Sequence, residues 1–376
     1  MSESSPSKIT TLAKLIASIV VAGGLVAALF LPFVGGTGVA VRNSADIVNS
    51  IPDELTVNVP QGGTKVLAAD GSLITTFYQH NRTPVASDQI AEVMKRAQVD
   101  IEDSRFYEHN GVDVQGTLRA LAKNVAAGGV EEGGSTITQQ LVKQTLLQSA
   151  SDAEGRLAAT VDTVGRKLRE ARYALALEKK YTKDEILSRY LNMVYFGAGA
   201  YGIEAAAQTY FSVHAKDLNL AQAAMLAGLV QSPKYDNPLA YPESAQKRRN
   251  QVLTRMHELG HISDQELADI SAQPVQVAPG QNPPNGCASA SVGGFFCDYL
   301  VNYLTKKPED GGTVGLTQDQ LENGGFTIQT TLQPDMQRAG DQSVMQTVGP
   351  DPDVIGAYDV VEPGTCLLYT SDAADE

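Results

Sequence analysis

The sequence is short of positive charge. Its 376 residues include 29 lysines and arginines against 43 aspartates and glutamates, a formal net charge of −14 at pH 7. A strongly acidic chain repels polyanions, so neither nucleic acid nor a bulk anionic membrane surface is an expected partner. Tryptophan is absent, which by itself excludes nothing, and there are three cysteines. The apolar fraction of 43% is ordinary for a folded protein, and the length allows two domains.

Charge is missing altogether near the start of the chain. No charged residue lies between Lys14 and Arg42, and residues 15–34 are almost wholly apolar. A helix needs roughly 20 such residues to cross a bilayer. The small residues that a signal peptidase would need lie inside this run, which favours an uncleaved anchor. Lys8 and Lys14 outweigh Glu3 before the run, so we expect a cytoplasmic tail over 1–14, a transmembrane anchor over 15–41 and export of the rest.

Cys287 and Cys297 lie in the part of the chain that we expect to be exported, in a segment rich in proline, glycine and asparagine. An oxidising compartment would allow them to form a disulfide that closes a short loop. Two packed free thiols are the alternative.

The pattern of apolar residues predicts a mainly α fold with a small β element. Residues 87–272 are rich in helical periodicity, and residues 65–78 read as a hairpin with an Asp-Gly pair at the turn. Residues 219–230 are apolar nearly all round, which predicts a core helix. The glycines at 197, 199 and 202, interleaved with aromatic residues, predict a tight turn.

Residues 102–112, EDSRFYEHNGV, bring acidic residues, an arginine, two aromatics and a histidine close together in the chain. Their closing Asn-Gly pair predicts a packed loop. The helix before this loop has a predicted N-cap at Ser87 and ends near Glu102. A carboxylate at a rigid helix end, beside aromatic rings, has the features of a general base or acid because partial burial raises its pKa. The alternative is a helix end whose acidic residues pair with Arg105.

A second stretch combines hydroxyls, amides and a cation. Ser135 or Thr136 is predicted to cap a helix that carries Gln139, Gln140 and Lys143, after a glycine-rich loop. The N-terminus of such a helix can receive an anionic or polyhydroxylated ligand. A capped surface helix would have the same pattern.

Residues 166–183 are positively charged, whereas the whole chain is acidic. They contain seven basic residues and two acidic ones, a local net charge of +5. Such a concentration can hold phosphate. The alternative is a solvated helix face with Glu170 paired to Arg166 one turn back.

The HELGH sequence at 257–261 matches the zinc-protease pattern but is not expected to bind zinc. That pattern needs both histidines on one face of a continuous helix. Gly260 lies where a C-cap would fall, and Ser263 with Glu266 forms a capping box for the next helix, so His261 is predicted to lie in a turn.

Four stretches, EDSRFYEHNGV, GGSTITQQLVK, RKLRE and ILSRYLNMVYFG, together resemble glycosyltransferase family 51, the peptidoglycan polymerase domain of class A penicillin-binding proteins. They occur in the family's order, and the resemblance covers about residues 65–260. It implies a lysozyme-like, mainly α glycosyltransferase domain. Gln144 and Ser188 depart from residues common in the family, and neither removes a group expected to do chemistry.

The resemblance implies that lipid II is the acceptor and a lipid-linked nascent glycan the donor. Glu102 would be the general base that takes the proton of the acceptor's sugar 4-hydroxyl, which attacks the donor's anomeric carbon with inversion and releases undecaprenyl pyrophosphate. Lys143, Arg166 and Lys167 would neutralise the pyrophosphate. Glu170, the second catalytic glutamate, would position groups and balance charge, with a divalent cation, Mg or Mn, held nearby. No organic cofactor is implied.

The resemblance also implies a wider set of substrate-binding residues and a cellular setting. The loop would supply Asp103, Phe106 and His109, and the sugar and phosphate track would be lined by Ser135, Thr136, Gln139, Gln140, Asn192 and Tyr195. The expected location is the plasma membrane, crossed once, with the catalytic domain on the extracytoplasmic side. Proteins of the cell division or elongation machinery are the expected partners.

The C-terminal part resembles the start of a transpeptidase region. Residues 324–340 are similar to the linker into that domain and VVEPGT to its first strand, but no Lys-Thr-Gly follows, so the chain as given is not expected to carry out penicillin-sensitive cross-linking. CLLYTSDAADE looks like sequencing-adapter read-through and is excluded from fold reasoning. The predicted segments are thus a stalk (42–60), the glycosyltransferase domain (61–275), a linker with the cysteine pair (276–323), the transpeptidase start (324–365) and the artefact (366–376).

Two other functions fit parts of the pattern. A cell-wall glycosidase would also use two carboxylates on a helical, lysozyme-like scaffold. Its substrate carries no pyrophosphate, so the cationic stretch beside Glu170 favours transfer. A non-catalytic anchored scaffold is the third possibility, and it gives no reason for the two glutamates and the cation cluster.

Overall fold

The structure is a computed structural model that describes residues 55–127, 133–150, 152–161, 163–348, 356–365 and 367–373. The predicted tail and anchor, and all but the end of the predicted stalk, lie outside these residues. Within the described part of the chain, no helix is both long and apolar enough to cross a membrane.

Helices make up most of the regular structure of the described residues, which confirms the mainly α class. The helices are α1 (Glu92–Glu102), α2 (Val114–Ala127), α3 (Ile137–Gln148), α4 (Ala153–Thr160), α5 (Val164–Lys180), α6 (Lys183–Met193), α7 (Ile203–Phe211), α8 (Leu220–Leu229), α9 (Pro242–Glu258), α10 (Asp264–Ser271), α11 (Gly294–Thr305), α12 (Gln318–Asn323) and α13 (Pro334–Thr347). The strands are β1 (Thr64–Leu67), β2 (Leu73–Phe77), β3 (Asn81–Arg82), β4 (Ala200–Tyr201), β5 (Thr327–Gln329), β6 (Ala357–Val361) and β7 (Leu368–Ala373).

The main hydrophobic core forms around α8, the predicted core helix. Every residue from Ala223 to Leu229 is buried, and the helix packs against α1 and α9. Asn219 caps its N-terminus by accepting a hydrogen bond from the backbone N–H of Gln222 at 3.0 Å. A Cβ at Gly228 would lie 2.9 Å from Cγ of Arg248, so the missing side chain lets α9 approach closely.

The predicted hairpin is confirmed, but its surroundings were not predicted. β1 pairs with β2 antiparallel, and Gly71 turns the chain with φ +83°. β1 also pairs with β5 in parallel, which makes a three-stranded sheet in the order β2-β1-β5. Apolar residues of the hairpin and of α11 form a second buried cluster, which includes Val66, Ile74 and Phe296. The hairpin therefore packs with the C-terminal part of the described chain.

A disulfide joins Cys287 to Cys297 beside this second cluster. β7, which lies in the stretch set aside as read-through, pairs antiparallel with β6. The assignment of residues 366–376 as an artefact stays a prediction. β6 includes the first two residues of VVEPGT, the stretch that resembles the first strand of a transpeptidase domain.

Several local predictions can be checked directly. The N-cap at Ser87 was wrong: residues 87–89 form a separate 3₁₀ turn, and α1 begins only after Ala91, whose N–H donates to the carbonyl of Ala215. The capping box at Ser263 and the tight turn at 197–202 are confirmed. The break at Gly260 is also confirmed, with φ +74°.

One pattern escaped the sequence analysis. Ser244 and Lys247 match Ser-x-x-Lys, the pattern of penicillin-reactive serines. The hydroxyl of Ser244 donates to Asp236 Oδ1 at 2.7 Å, and Lys247 is exposed on α9. Both are ordinary roles for polar side chains on a helix surface.

We expect Leu226→Ala to lower the free energy of unfolding by about 2–5 kcal/mol, because it leaves a cavity in the fully buried centre of α8. Leu157→Ala on α4, where the side chain is 60% exposed, is the matched control and should change it by less than about 0.5 kcal/mol. Urea unfolding followed by circular dichroism measures both. Equal losses in the two variants would show that α8 is not the centre of the core.

Candidate functional site

The predicted loop is held against the start of α3. α1 ends at Glu102, and the carboxylate of the next residue, Asp103, accepts a hydrogen bond from the backbone N–H of Ile137 at 3.0 Å. The same carboxylate lies 3.0 Å from His109 Nε2. Phe106 is fully buried beneath the loop. These three predicted residues, Asp103, Phe106 and His109, thus shape the loop from inside.

Arg105 does not pair with the acidic residues at the end of α1. Its guanidinium forms a two-point ion pair with Asp113 at the far end of the loop, with Nε 3.1 Å from Oδ2. The sequence alternative, in which Glu102 serves only as a partner of Arg105, was therefore wrong. Glu102 is left available for other contacts.

Glu102 lies at the wall of a cavity of about 540 Å³. Its Oε2 accepts a hydrogen bond from Gln140 Nε2 at 2.8 Å, and Gln140 Oε1 accepts one from the hydroxyl of Tyr190 at 2.9 Å. Burial raises the pKa of Glu102, while the hydrogen bond from Gln140 and the charge of Arg248 lower it. A carboxylate with a raised pKa that still keeps a donor on its ionised form suits a general base.

Four cations line the same cavity, and none of them was among the predicted site residues. Arg119 and Lys123 come from α2, and Arg248 and Arg255 from α9. Arg255 Nη2 donates to the hydroxyl of Ser104 at 3.0 Å, which fixes it above the loop. Burial lowers the pKa of Arg248, and the charge of Glu102 opposes that shift. The Lys-Arg-Arg run at 247–249 could have indicated these cations in the sequence. Their place at the cavity depends on long-range packing of α9, which the run does not reveal.

Asp100 is a second cavity carboxylate that the sequence analysis missed. It accepts a hydrogen bond from His261 Nδ1 at 2.7 Å, while His261 Nε2 lies 3.2 Å from Arg96 Nη1. Arginine can only donate, so Nε2 is the acceptor and Nδ1 carries the proton. Burial raises the pKa of Asp100, and the hydrogen bond from His261 opposes the shift.

Glu170 is a buried counter-ion. It is 1% exposed and pairs with Arg166 on one side and with Lys167 on the other, where the separation is 3.2 Å. Lys167 Nζ also lies 2.7 Å from the hydroxyl of Ser135, which lines the cavity together with Thr136. The predicted cation cluster therefore reaches the cavity wall through Lys167.

The remaining predicted residues lie away from the described cavity lining. The side chain of Gln139 closes a capping box with Thr136, and the amide of Asn192 bonds the backbone of Val85. The ring of Tyr195 packs at a tilt against that of Tyr201, with ring centroids 4.6 Å apart. Lys143 makes no hydrogen bond or ion pair with the residues that the structure describes. Gln139 and Asn192 thus have structural contacts, and their contact with substrate stays a prediction.

The surroundings of Glu170 do not fit a divalent cation. Both of its oxygens face cations, Arg166 and Lys167, and a metal would have to displace them. Among the described residues, no group of three or more His, Cys, Asp or Glu side chains could hold a metal. We derive no step through Mg or Mn, and a metal requirement stays a prediction.

Comparison with known proteins shows the family to which the chain is similar. Residues 70–257 match the family model described as Transglycosylase. Penicillin-binding protein 1F of Bacillus subtilis is 34% identical over 279 residues, which cover 74% of this chain and 36% of that protein. Penicillin-binding protein 1A of Escherichia coli is 35% identical over 284 residues, which cover 76% of this chain and 30% of that protein. The chain thus spans about a third of the length of these relatives.

Among solved structures, penicillin-binding protein 1A from Haemophilus influenzae aligns with 76% of this chain and 29% of its own. The sequence identity is 19% and the TM-score is 0.40. A likeness at this level does not bear on the arrangement of the site.

We expect Arg248→Ala to raise the pKa of Glu102, because removing a nearby cation disfavours the ionised carboxylate. Lys247→Ala removes the same charge from the exposed face of α9 and is the matched control. Carbon-13 NMR of protein labelled at glutamate Cδ follows the titration, and Glu102→Gln assigns the signal. No shift in Arg248→Ala, or an equal shift in Lys247→Ala, would contradict the described electrostatics.

Proposed function

This chain belongs to the transglycosylase family, and on that premise we propose that it polymerises lipid II into peptidoglycan glycan strands. The observation that carries the proposal is that Glu102 and four cationic side chains line the same cavity. The helical domain would have the lysozyme-like architecture that the sequence resemblance implies. The reaction would be a glycosyl transfer with inversion at the donor's anomeric carbon.

Glu102 is the proposed general base. It would take the proton of the acceptor's sugar 4-hydroxyl as that oxygen attacks the donor, and the hydrogen bond from Gln140 would keep the carboxylate ionised before the transfer. A base of this kind typically accelerates a reaction by about 10²–10⁴-fold. Burial in the cavity wall supports the role, because it raises the pKa of Glu102 toward the working pH.

The cations support a charged leaving group. Undecaprenyl pyrophosphate leaves with negative charge, and Arg119, Lys123, Arg248 and Arg255 line the cavity in which that charge would develop. Lys167 would add a further cation through its contact with Ser135. Glu170 would hold Lys167 and Arg166 in position and would take no part in proton transfer.

The setting of the enzyme follows the sequence expectations. We propose a single N-terminal anchor in the plasma membrane, an extracytoplasmic catalytic domain, and partners in the cell division or elongation machinery. The relatives are penicillin-binding proteins, and the likeness of residues 324–365 to a transpeptidase start is consistent with a longer natural protein.

A glycosidase is the second candidate, and Asp100 is the observation that favours it. This carboxylate lines the same cavity as Glu102 and also has a pKa raised by burial, so the cavity holds two carboxyl groups of the kind that glycan hydrolysis uses. Four lining cations have no role in that reaction, because a glycan carries no pyrophosphate. We therefore favour transfer.

We expect purified full-length protein in detergent to convert lipid II into long glycan. Glu102→Gln should lower the rate at least about 10²-fold, since it removes the base. Glu108→Gln, on the exposed side of the same loop, is the matched control and should retain the rate. Gel separation of labelled products resolves their length.

The outcomes of this assay separate the candidates. Shortening of added glycan, lost in Asp100→Asn, would favour the glycosidase. A folded protein with neither activity would favour a scaffold.

Deletion of residues 1–54 should lower the rate on lipid II in vesicles more than the rate in detergent. An anchor raises the effective concentration of a lipid-borne substrate, whereas in detergent the substrate reaches the site without it. Parallel assays of the full-length and shortened proteins in both media measure the ratio. Equal losses in vesicles and detergent would refute the role of the anchor.

A further inference from the structure

We propose that Tyr190 is a positioning residue that orients the side-chain amide of Gln140 so that its N–H group faces Glu102. The inference rests on the proposed function, in which Glu102 is the general base. It adds a residue that touches neither the cavity nor the reacting atoms. Tyr190 would act through Gln140.

The contacts form a chain of two hydrogen bonds across three elements. The hydroxyl of Tyr190 on α6 donates to Gln140 Oε1 at 2.9 Å, and Gln140 Nε2 on α3 donates to Glu102 Oε2 at 2.8 Å, at the end of α1. Tyr190 is fully buried, and its hydroxyl bonds the amide of Gln140, which lines the cavity.

An amide has one accepting end and one donating end, so its orientation decides what Glu102 meets. With Oε1 held by the phenol, the N–H group is directed at Glu102 and stabilises the ionised carboxylate. In the reversed orientation, a carbonyl oxygen would face the carboxylate, and only a protonated Glu102 could bond it. The phenol therefore favours the form of Glu102 that acts as a base.

Burial supports the role of the phenol as donor. The pKa of Tyr190 lies well above its ordinary value, because burial and then the negative charges of Glu102 and Asp103 disfavour the phenolate. The hydroxyl thus keeps its proton over the whole range in which a carboxylate titrates. Gln140 Oε1 would lose this donor if the hydroxyl were removed.

Other charges also act on Glu102, and none of them depends on Tyr190. Arg248 on α9 lowers the pKa of Glu102 and Asp103 raises it. The other charged residues that line the cavity are Asp100, Asp113, Arg119, Lys123, Arg255 and Glu258. A change at Tyr190 leaves all of them in place, so a shift in the titration of Glu102 reports on the amide.

The test compares Tyr190→Phe with Tyr210→Phe in the full-length protein. Tyr210 is also fully buried, and its hydroxyl donates to the carbonyl of Phe196 at 2.9 Å, so the control loses a similar core hydrogen bond. In Tyr190→Phe, the acid limb of kcat/KM for lipid II should move up by about one pH unit, a tenfold loss at low pH that recovers at high pH. Tyr210→Phe should leave the limb unchanged.

A titration of Glu102 by carbon-13 NMR separates this proposal from the proposed function. The pKa of Glu102 should rise in Tyr190→Phe whether or not the protein polymerises lipid II. Gln140→Met removes the amide and keeps Tyr190, so it should raise the pKa as well, and adding Tyr190→Phe to it should cause no further rise. This second variant also tests the chain if Tyr190→Phe does not fold.

Three results would overturn the proposal. The first is an unchanged pKa of Glu102 in folded Tyr190→Phe, and the second is an unchanged pKa in Gln140→Met. The third is a shift in Tyr210→Phe as large as that in Tyr190→Phe, because the effect would then come from a general loosening of the core. Absence of polymerisation with the expected pKa shifts would refute the proposed function and leave the hydrogen-bond chain intact.

Discussion

The hydrogen bond from the backbone N–H of Ile137 to the carboxylate of Asp103 is the contact on which the site depends. It joins the residue that follows α1 to the first turn of α3, where unpaired N–H groups and the helix dipole favour a negative charge. Thr136 strengthens the junction, since its hydroxyl bonds both the carbonyl of Gly111 and the N–H of Gln139. With the two helix ends fixed together, Gln140 falls one turn along α3, within reach of Glu102.

Around this junction, two opposing effects set the charge of Glu102. Burial penalises the carboxylate, and a hydrogen bond from Gln140 together with the charge of Arg248 favours it. The whole chain is acidic, so the cationic side chains at the cavity give it a local charge opposite to that of the chain. Such a cavity can attract an anionic group while the rest of the surface repels anions. The acidic composition and the cation-lined site are therefore compatible.

The sequence predicted those local features whose conformation is determined by residues close to them in the chain. The capping box at Ser263 depends on two side chains within three residues of each other. The turn at Gly71 and the break at Gly260 depend on positive φ values that glycine adopts without strain. The pairing of β1 with β5 and the approach of α9 to the cavity each join parts of the chain that lie far apart in sequence. No local pattern encodes such contacts. The failed N-cap at Ser87 has the same cause, because a long-range bond from Ala91 starts the helix later.

The family resemblance pointed to stretches that the structure brings to one cavity, but it did not separate residues that line the cavity from residues that support them. Glu102, Ser135, Thr136 and Gln140 are at the wall, whereas Phe106 and Glu170 are buried behind it. A buried carboxylate is costly unless it is paired, and Glu170 meets that requirement with Arg166 and Lys167. The same pairing fixes Lys167, which then reaches Ser135 at the wall. Glu170 therefore contributes to the site through the position of a cation, which is a role that its own sequence motif could not distinguish from catalysis.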